Sequence, residues 1–149
     1  SRRTSYQYGA TMVPSETTIV DAALSNGIAK GEITYVLPHY ETNLKGKFET
    51  VVIDGLEVVF MDASGTEAVS EAVAYIPSMK TIWAAEVTYK GMHNVYTLRG
   101  AKVRDSLKWS KEINNMIQEW GGEAEFLFSA HSSPVWSNND INDFLKTLH

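Results

Sequence analysis

The stretch from Asp62 to Gly100 constrains the fold of this chain more than any other part of its sequence. Apolar segments alternate there with short polar ones, in the order expected of a loop, a strand, a turn, a second strand and a loop before a helix. Its candidate functional residues are Glu67, Glu86, Asn94 and Arg99, and each lies where an apolar segment ends and a loop begins. Because scaffolds usually carry functional groups at such points, we expect a sheet whose strand ends hold the functional side chains.

The clearest strand pair precedes that stretch. The segment Phe48–Ile53, the dipeptide Asp54-Gly55 and the segment Glu57–Met61 predict a β-hairpin, because Asp-Gly readily adopts the positive φ angles of a tight turn. Further strands are predicted at Ile33–Leu37, Ala72–Ile76, Thr81–Ala85 and Glu125–Ser129. Residues 1–30 show little periodicity and are predicted to form an irregular lead-in.

Two segments have the apolar spacing of helices. Ala101–Trp120 predicts the longer helix, which Gly121-Gly122 would end. Its predicted inward face consists of Val103, Leu107, Ile113, Met116, Ile117 and Trp120. Asn139–Leu148 predicts a last helix, capped by Ser137 or Asn138. Antiparallel strands followed by helix, strand and helix predict an α+β fold with a mixed, mostly antiparallel sheet and helices on its outer face.

Length and composition restrict the classes of protein that this chain can belong to. Its 149 residues suffice for one domain with a buried core, and 44% hydrophobic with 21% charged residues is ordinary for a globular protein. The net charge of −5 argues against nucleic-acid binding, which needs a concentrated positive face. The absence of cysteine excludes disulfides, thiolate metal sites and a cysteine nucleophile. No apolar run approaches the length of a membrane span.

Two carboxylates and one imidazole follow three predicted strands. Glu67, Glu86 and His131 are the oxygen and nitrogen ligands that a divalent metal site needs, provided that the strands are neighbours. A carboxylate-rich set also suits manganese or iron. The structural alternative stays open, since a loop glutamate is usually solvated and a histidine after an apolar strand is often hydrogen-bonded within the fold.

Asn94 and Arg99 precede the predicted long helix. A helix N-terminus offers free N–H groups and partial positive charge, and a guanidinium beside it gives a bidentate fork for an oxyanion such as sulfate or phosphate. The alternative is that Arg99 pairs with a nearby acid such as Asp105. The residues alone favour this second interpretation.

Several runs carry motifs that belong together. They are R-x-S-Y-x-Y-G at Arg3–Gly9, G-T-E-A at Gly65–Ala68, A-E at Ala85-Glu86, H-N-x-Y-T-L-R-G-A-x-V-R-D at His93–Asp105, W-S at Trp109-Ser110 and A-H-x-x-P-x-W at Ala130–Trp136. Together they resemble the zinc-dependent alkyl sulfatases, over nearly the whole chain, and T-L-R-G-A is the most specific run. The resemblance implies a metallo-β-lactamase fold and hydrolysis of alkyl sulfate esters.

The resemblance also implies a role for each candidate residue. Glu67, Glu86 and His131 match metal ligands of a site with two divalent ions, zinc in that family, which activate a water molecule. Asn94 and Arg99 match positions that hold the sulfate group. His93 is a candidate proton donor by its position, and a structural role before Asn94 is an equal alternative.

The chain departs from the family pattern in two ways. The H-x-H-x-D-H segment that supplies the other metal ligands does not occur among its histidines, and the region expected to form a homodimer after Trp136 is absent. Residues 1–149 therefore resemble the second half of the catalytic domain, expected to be inactive without its N-terminal half. Inside the motifs, Val87, Lys90 and Ser132-Ser133 replace residues that the family pattern leads us to expect.

Two functions of different classes follow. The first is part of a metal-dependent hydrolase of sulfuric esters, or of another ester if the replaced residues change the substrate. The second is a non-catalytic or truncated member of the fold that acts as a structural or interaction partner, because half of a sandwich leaves apolar surface to be covered.

Overall fold

The computed structural model describes residues 44–97 and 102–149. Contacts divide the chain into two units, and the larger consists of Asn43–Val95 and Arg104–His149. The smaller consists of Ser1–Thr42 and Tyr96–Val103, of which residues 96, 97, 102 and 103 are described. The predicted lead-in, the predicted strand Ile33–Leu37 and Arg99 lie outside the described residues. The account below concerns the larger unit.

Six strands of this unit form one mixed sheet in the order β1-β2-β3-β4-β5-β6. The strands are β1 Phe48–Ile53, β2 Leu56–Asp62, β3 Ala72–Ile76, β4 Thr81–Trp83, β5 Phe126–Ser129 and β6 Ser132–Trp136. All neighbours are antiparallel except β4 and β5, which are parallel. Since parallel strands need a crossover, a helix lies between these two in the sequence. The predicted α+β class and mixed sheet are confirmed.

The predicted hairpin is confirmed in its first strand and its turn, and its second strand is one residue longer at each end than predicted. Phe48 pairs with Met61, and the register runs to Ile53 opposite Leu56. Asp54 and Gly55 have φ angles of 51° and 79°, so both central residues have the positive φ of a tight hairpin turn. The Asp-Gly signal therefore determined this part of the sheet correctly.

The long helix starts later than its apolar spacing predicts. Helix α1 spans Ser106–Trp120, because the Asp105 side chain accepts a hydrogen bond from Lys108 N and caps it there. Val103 therefore precedes the helix, and Val103 and Leu107 are exposed instead of facing inward. The predicted end is correct. Helix α2 spans Asn138–Leu148, with Ser137 as its cap.

The sequence analysis missed one strand and overextended another. β6 was missed because Ser132, Ser133 and Pro134 lack the apolar alternation of a strand. Pro134 is tolerated there, since β6 is at the edge of the sheet that the described residues form. β4 ends at Trp83, two residues earlier than predicted, and Ala85 has a positive φ of 48° that no strand residue adopts. A short 3-10 turn, Pro77–Met79, joins β3 to β4.

Both helices cover the same face of the sheet. A row of apolar residues crosses five strands on that face, namely Val59, Tyr75, Ile82, Leu127 and Val135. Ile113 and Met116 of α1 and Ile141 and Leu145 of α2 are fully buried against the core that includes this row. Because side chains alternate along a strand, the neighbouring aromatic residues point to the other face of the sheet, namely Trp83, Phe126, Phe128 and Trp136. In the described part of the chain, no helix is long and apolar enough to cross a membrane.

Gly121, directly after α1, contacts the first turns of α2. Its carbonyl oxygen accepts hydrogen bonds from the side-chain amides of Asn138 and Asn142, each at 2.7 Å. A Cβ atom at Gly121 would lie 2.7 Å from Asn142 Oδ1 and closer still to the carbonyl oxygen of Ile117. Gly121→Ala is therefore expected to lower the free energy of unfolding by about 1–3 kcal/mol, the usual cost of overpacking.

Urea denaturation of the two neighbouring glycine variants measures this effect. At Gly122 a Cβ atom would meet nothing within 4 Å, so Gly122→Ala is the matched control. We expect the control to change stability by less than about 1 kcal/mol. Equal losses of unfolding free energy in both variants would contradict the expected steric effect at Gly121.

Candidate metal and anion site

The parallel pair β4 and β5 brings two predicted ligands together. Ala84 N donates a hydrogen bond to Phe128 O at 2.9 Å, and Ala130 N donates to Ala85 O at 2.8 Å, so the pairing continues past the strand ends. Glu86 directly follows Ala85 at the end of the β4 side of this pairing, and His131 directly follows Ala130 at the end of the β5 side. Their side chains meet, with His131 Nε2 3.6 Å from Glu86 Oε1.

This pair is accessible to solvent and is not a core contact. The side chain of His131 is 63% exposed and that of Glu86 is 50% exposed. His131 occupies the turn of the β5–β6 hairpin, whereas the sequence analysis had placed it after the last strand of the sheet. The hairpin turn fixes its position from both sides.

The loop after β2 holds Glu67. Thr66 is fully buried and its hydroxyl donates to Ala63 O at 2.7 Å, while Ala63 N donates to Glu71 O at 2.9 Å. These bonds anchor the loop at both ends. The side chain of Glu67 is consequently held against the protein and is only 13% exposed.

Arg104 joins the loop of Glu67 to the segment that carries Asn94. One guanidinium nitrogen lies 2.5 Å from Glu67 Oε1, and another donates to the backbone carbonyl oxygen of Asn94 at 2.6 Å. Its backbone N–H donates to Val95 O at 2.8 Å, and its side chain is 10% exposed. The sequence analysis assigned no role to Arg104. The signal for it was its place in the V-R-D part of the most informative motif.

His93 lies on the other side of Glu67. Its ring stacks on Trp109 with centroids 4.6 Å apart and planes 11° apart, and its side chain is only 4% exposed. Its Nε2 is 3.7 Å from Glu67 Oε2, too far for a hydrogen bond. Among the described residues, neither ring nitrogen has a hydrogen-bond partner. Burial, and secondarily the charge of Arg104, lower the pKa of His93, so the imidazole is neutral at pH 7.

The pKa of Glu71 is raised by its surroundings. Burial raises its pKa, and the carboxylates of Glu86 and Glu67 raise it further. The carboxylates of Glu67 and Glu86 thus both repel the carboxylate of Glu71. Like-charged carboxylates gathered in this way favour either protonation or a cation.

Glu71→Gln is expected to stabilise the chain at pH 7 in metal-free buffer. A carboxyl group whose pKa is higher in the folded state costs stability as the pH rises from its ordinary value near 4.5 through its raised value. The gain in the midpoint of thermal unfolding should therefore be present at pH 7 and vanish below about pH 4.5. Glu57→Gln, at an exposed position of β2, is the control and should show no gain at either pH. A Glu71→Gln gain that does not depend on pH would rule out the electrostatic cause.

Three residues that depart from the family pattern contact one another. Lys90 N donates to Ser132 Oγ at 2.6 Å, and Lys90 Nζ donates to Ser133 Oγ at 2.8 Å. This contact lies shortly after Glu86 in one segment and directly after His131 in the other. The replaced residues therefore form one local arrangement beside the carboxylate–imidazole pair.

The donor atoms of Glu86 and His131 fit a divalent metal ion. Zinc lies about 2.0–2.2 Å from carboxylate oxygen and imidazole nitrogen, so two ligand atoms of one ion are at most about 4 Å apart. The separation of 3.6 Å meets this condition. Within residues 44–97 and 102–149, however, no group of three or more His, Asp or Glu side chains is arranged to hold a metal. Glu67 is instead engaged by Arg104.

Helix α1 starts farther along the chain from Asn94 and Arg99 than the sequence analysis expected. The sequence analysis expected Asn94 and Arg99 to precede the helix directly, but α1 begins at Ser106. Asn94 is exposed, and Arg104 holds its backbone carbonyl. Asp105, the alternative partner of Arg99, serves as the helix cap. Arg99 itself is outside the described residues.

Comparison with known proteins adds an independent observation. No protein-family model matches the chain. The chain is 39% identical over 146 residues to a linear primary-alkylsulfatase of Pseudomonas sp., covering 98% of this chain and 21% of the relative. The chain is homologous to the alkylsulfatases.

Solved structures agree with this homology. The stereoselective inverting sec-alkylsulfatase Pisa1 of Pseudomonas sp. matches with a TM-score of 0.73 and 30% identity, over 97% of this chain and 23% of that protein. A metallo-β-lactamase family protein of Thermus thermophilus matches with a TM-score of 0.55 at 15% identity, over 74% of this chain and 34% of that protein, which supports the fold alone. The expected metallo-β-lactamase fold is confirmed. The chain spans about a fifth of the length of its alkylsulfatase relatives.

Proposed function

We propose that this chain is part of a metal-dependent hydrolase of sulfuric esters and contributes to its metal site and its sulfate-binding site. The observation that carries the proposal is the pairing of Glu86 with His131 at 3.6 Å, at the ends of the two parallel strands. Its homology to alkylsulfatases makes an alkyl sulfate the substrate class of choice. Residues 1–149 would form the second half of a metallo-β-lactamase-like catalytic domain.

Glu86 and His131 would hold a divalent ion together with Glu67. A bound ion supplies Lewis acidity and lowers the pKa of water, as in other metallohydrolases. Arg104 pairs with Glu67 Oε1 and so holds this carboxylate in place. The same guanidinium fixes the backbone of Asn94, so one residue positions both the metal ligand and the proposed sulfate-binding residue.

Asn94 and Arg99 would bind the sulfate group of the ester. A guanidinium and a side-chain amide neutralise and orient negative charge that develops on the oxygens, which is worth about 10²–10³ in rate for one donor in comparable sites. His93 is the candidate proton donor. Because its imidazole is neutral at pH 7, it would first have to take up a proton, and a structural role against Trp109 is the alternative.

The remaining ligands would come from outside this chain. We propose a centre of two divalent ions, zinc by analogy with the resembled family, completed by an N-terminal half that carries the H-x-H-x-D-H pattern. The isolated chain would then be inactive, and the complete protein would be a homodimer.

A second function of another class has its own observation. The sheet face opposite the helices presents Trp83 and Trp136, both exposed, next to Phe126 and Phe128. Aromatic surface of this kind is typical of protein contacts. A non-catalytic role as a structural partner would use that face without using the metal site.

A chimeric enzyme tests the first proposal. Residues 1–149 would replace the homologous 146-residue region of the Pseudomonas linear primary-alkylsulfatase, which supplies the rest of the protein. The expected result is zinc-dependent release of inorganic sulfate from decyl sulfate, measured by ion chromatography, with metal content measured by mass spectrometry. A folded chimera that binds metal but releases no sulfate would support another ester as substrate. A folded chimera without metal would support the non-catalytic role.

A further inference from the structure

Arg104 is shared between the two parts of the proposed site. Its Nη2 lies 2.5 Å from Glu67 Oε1, and its Nη1 donates to the backbone carbonyl oxygen of Asn94 at 2.6 Å. We propose that Arg104 couples these two parts, so that a cation bound at Glu67 raises the affinity for an anion bound at Asn94, and the anion raises the affinity for the cation. This inference rests on the proposed function and adds a regulation of the same site.

The guanidinium group of Arg104 joins its two partners through fixed geometry. Its N–H donors lie on a rigid planar fork, whereas the ammonium group of a lysine is a point charge on a flexible stem. Because Nη1 and Nη2 belong to the same plane, a shift of the Glu67 carboxylate is passed on to the backbone at Asn94. The coupling therefore requires an arginine and not merely a positive charge.

The backbone of Arg104 is anchored on both sides. Its N–H donates to Val95 O at 2.8 Å, so the segment that carries Asn94 is bonded to the backbone of Arg104 as well as to its side chain. The next residue, Asp105, caps α1. Arg104 is thus held between the proposed anion-binding segment and the start of the helix.

Both members of the Arg104–Glu67 ion pair are largely withdrawn from solvent. The side chain of Arg104 is 10% exposed and that of Glu67 is 13% exposed. Charges that are partly buried interact more strongly than surface charges and are less screened by salt. A change in the charge of Glu67 should therefore alter how Arg104 acts on other charges nearby.

The coupling follows because Arg104 carries one positive charge between two positions for negative groups. The carboxylate of Glu67 balances that charge when no cation is present. A cation beside Glu67 would compensate the same carboxylate, so the guanidinium charge would act on an anion at Asn94 instead. By thermodynamic linkage, the anion would raise the affinity for the cation by the same factor.

The 149-residue chain tests the coupling without any metal. Glu67→Gln removes the charge that a cation would compensate and keeps the shape of the side chain. We expect it to raise the affinity for inorganic sulfate at least about fivefold, the lower end of typical coupling factors. Sulfate is titrated at constant ionic strength while the backbone amide signal of Asn94 is followed by NMR.

A double-mutant cycle with Arg104→Met isolates the guanidinium. Without Arg104, Glu67→Gln should raise the sulfate affinity by less than about twofold, since only screened repulsion between the carboxylate and sulfate is removed. Arg104→Met alone leaves the Glu67 carboxylate unpaired and can fail to fold. The double variant contains no such charge, and it should bind sulfate no better than the unmodified chain.

Two further variants control for charge. Glu119→Gln, at an exposed position of α1, changes the net charge as Glu67→Gln does and should leave the sulfate affinity unchanged. Arg104→Lys keeps the charge without the planar fork, so in the Glu67→Gln background it should retain only part of the gain. A lysine variant with the full gain would contradict the role assigned to the planar geometry.

In the chimeric alkylsulfatase the same coupling should appear in the affinity for metal. Inorganic sulfate should raise the zinc affinity at least about fivefold, measured by competition with a chromophoric chelator, and Arg104→Met should remove most of this increase. Lys111→Met, which removes an exposed positive charge from α1, should leave the increase unchanged. An undiminished increase in Arg104→Met would mean that the ion and the anion attract each other without Arg104.

The results separate this inference from the proposed function. An equal gain from Glu67→Gln with and without Arg104, or no gain at all, would overturn the coupling, and the hydrolase proposal would still stand on sulfate release by the chimera. Conversely, a gain that depends on Arg104 in the 149-residue chain would stand even if the chimera released no sulfate.

Discussion

In the chimeric alkylsulfatase, Glu86→Gln is expected to lower the rate of sulfate release by at least about 100-fold. Losing a residue that only supports a metal ligand already costs about 10–100-fold, and loss of a ligand should cost no less. Glutamine retains the shape of the side chain but removes the charge, so the fold should be kept. The metal content of the purified protein should fall together with the rate.

Glu119→Gln is the matched control for this prediction. Glu119 is an exposed glutamate on α1, and its replacement changes the net charge of the chain by the same amount. We expect full activity and full metal content in this variant. Unchanged activity in Glu86→Gln would remove Glu86 from the proposed ligands, whereas equal losses in both variants would point to an effect of net charge.

The second large effect is expected in the core. Ile113→Ala should lower the free energy of unfolding by about 2–5 kcal/mol, because Ile113 is fully buried between α1 and the sheet and its truncation leaves a cavity. Urea denaturation of the 149-residue chain, followed by circular dichroism, measures the difference. A change of this size is a large fraction of the stability of an ordinary domain.

Leu107→Ala in the same helix provides the comparison. Leu107 shares the apolar spacing of Ile113, but it lies in the exposed first turn of α1. Its truncation should change stability by no more than about 0.5 kcal/mol. Similar losses for both variants would mean that the apolar spacing, and not the helix start at Asp105, identifies the buried face.

The sequence predicted elements whose signals are local. The Asp54-Gly55 turn fixed a hairpin, and Gly121 marked the end of α1 correctly. The predicted start of α1 was wrong because Val103 and Leu107 continue the apolar spacing by coincidence. The side chain of Asp105 instead caps the helix, so that it begins after this residue. Apolar periodicity indicates which face of a helix is buried, whereas the capping residue determines where the helix begins.

The site was harder to predict because its contacts join distant segments. Glu86 and His131 were both named from their positions at strand ends, and the parallel pairing of β4 with β5 brings them together. The link from Arg104 to Glu67 could not be inferred, since nothing in the spacing shows which acid a guanidinium will reach. The contact of Lys90 with the two serines was likewise visible only in the structure.

The parallel neighbours β4 and β5 have a consequence for folding kinetics. The whole of α1 lies between them in the chain, so this pair can form only after a long crossover has closed, and such non-local pairings form slowly. Glu86 and His131 meet only once that step is complete. A short peptide excised from the sequence could therefore not reproduce their arrangement. An ion that bound both residues would stabilise the native chain by mass action, and the onset of its binding during refolding would mark the formation of the native state.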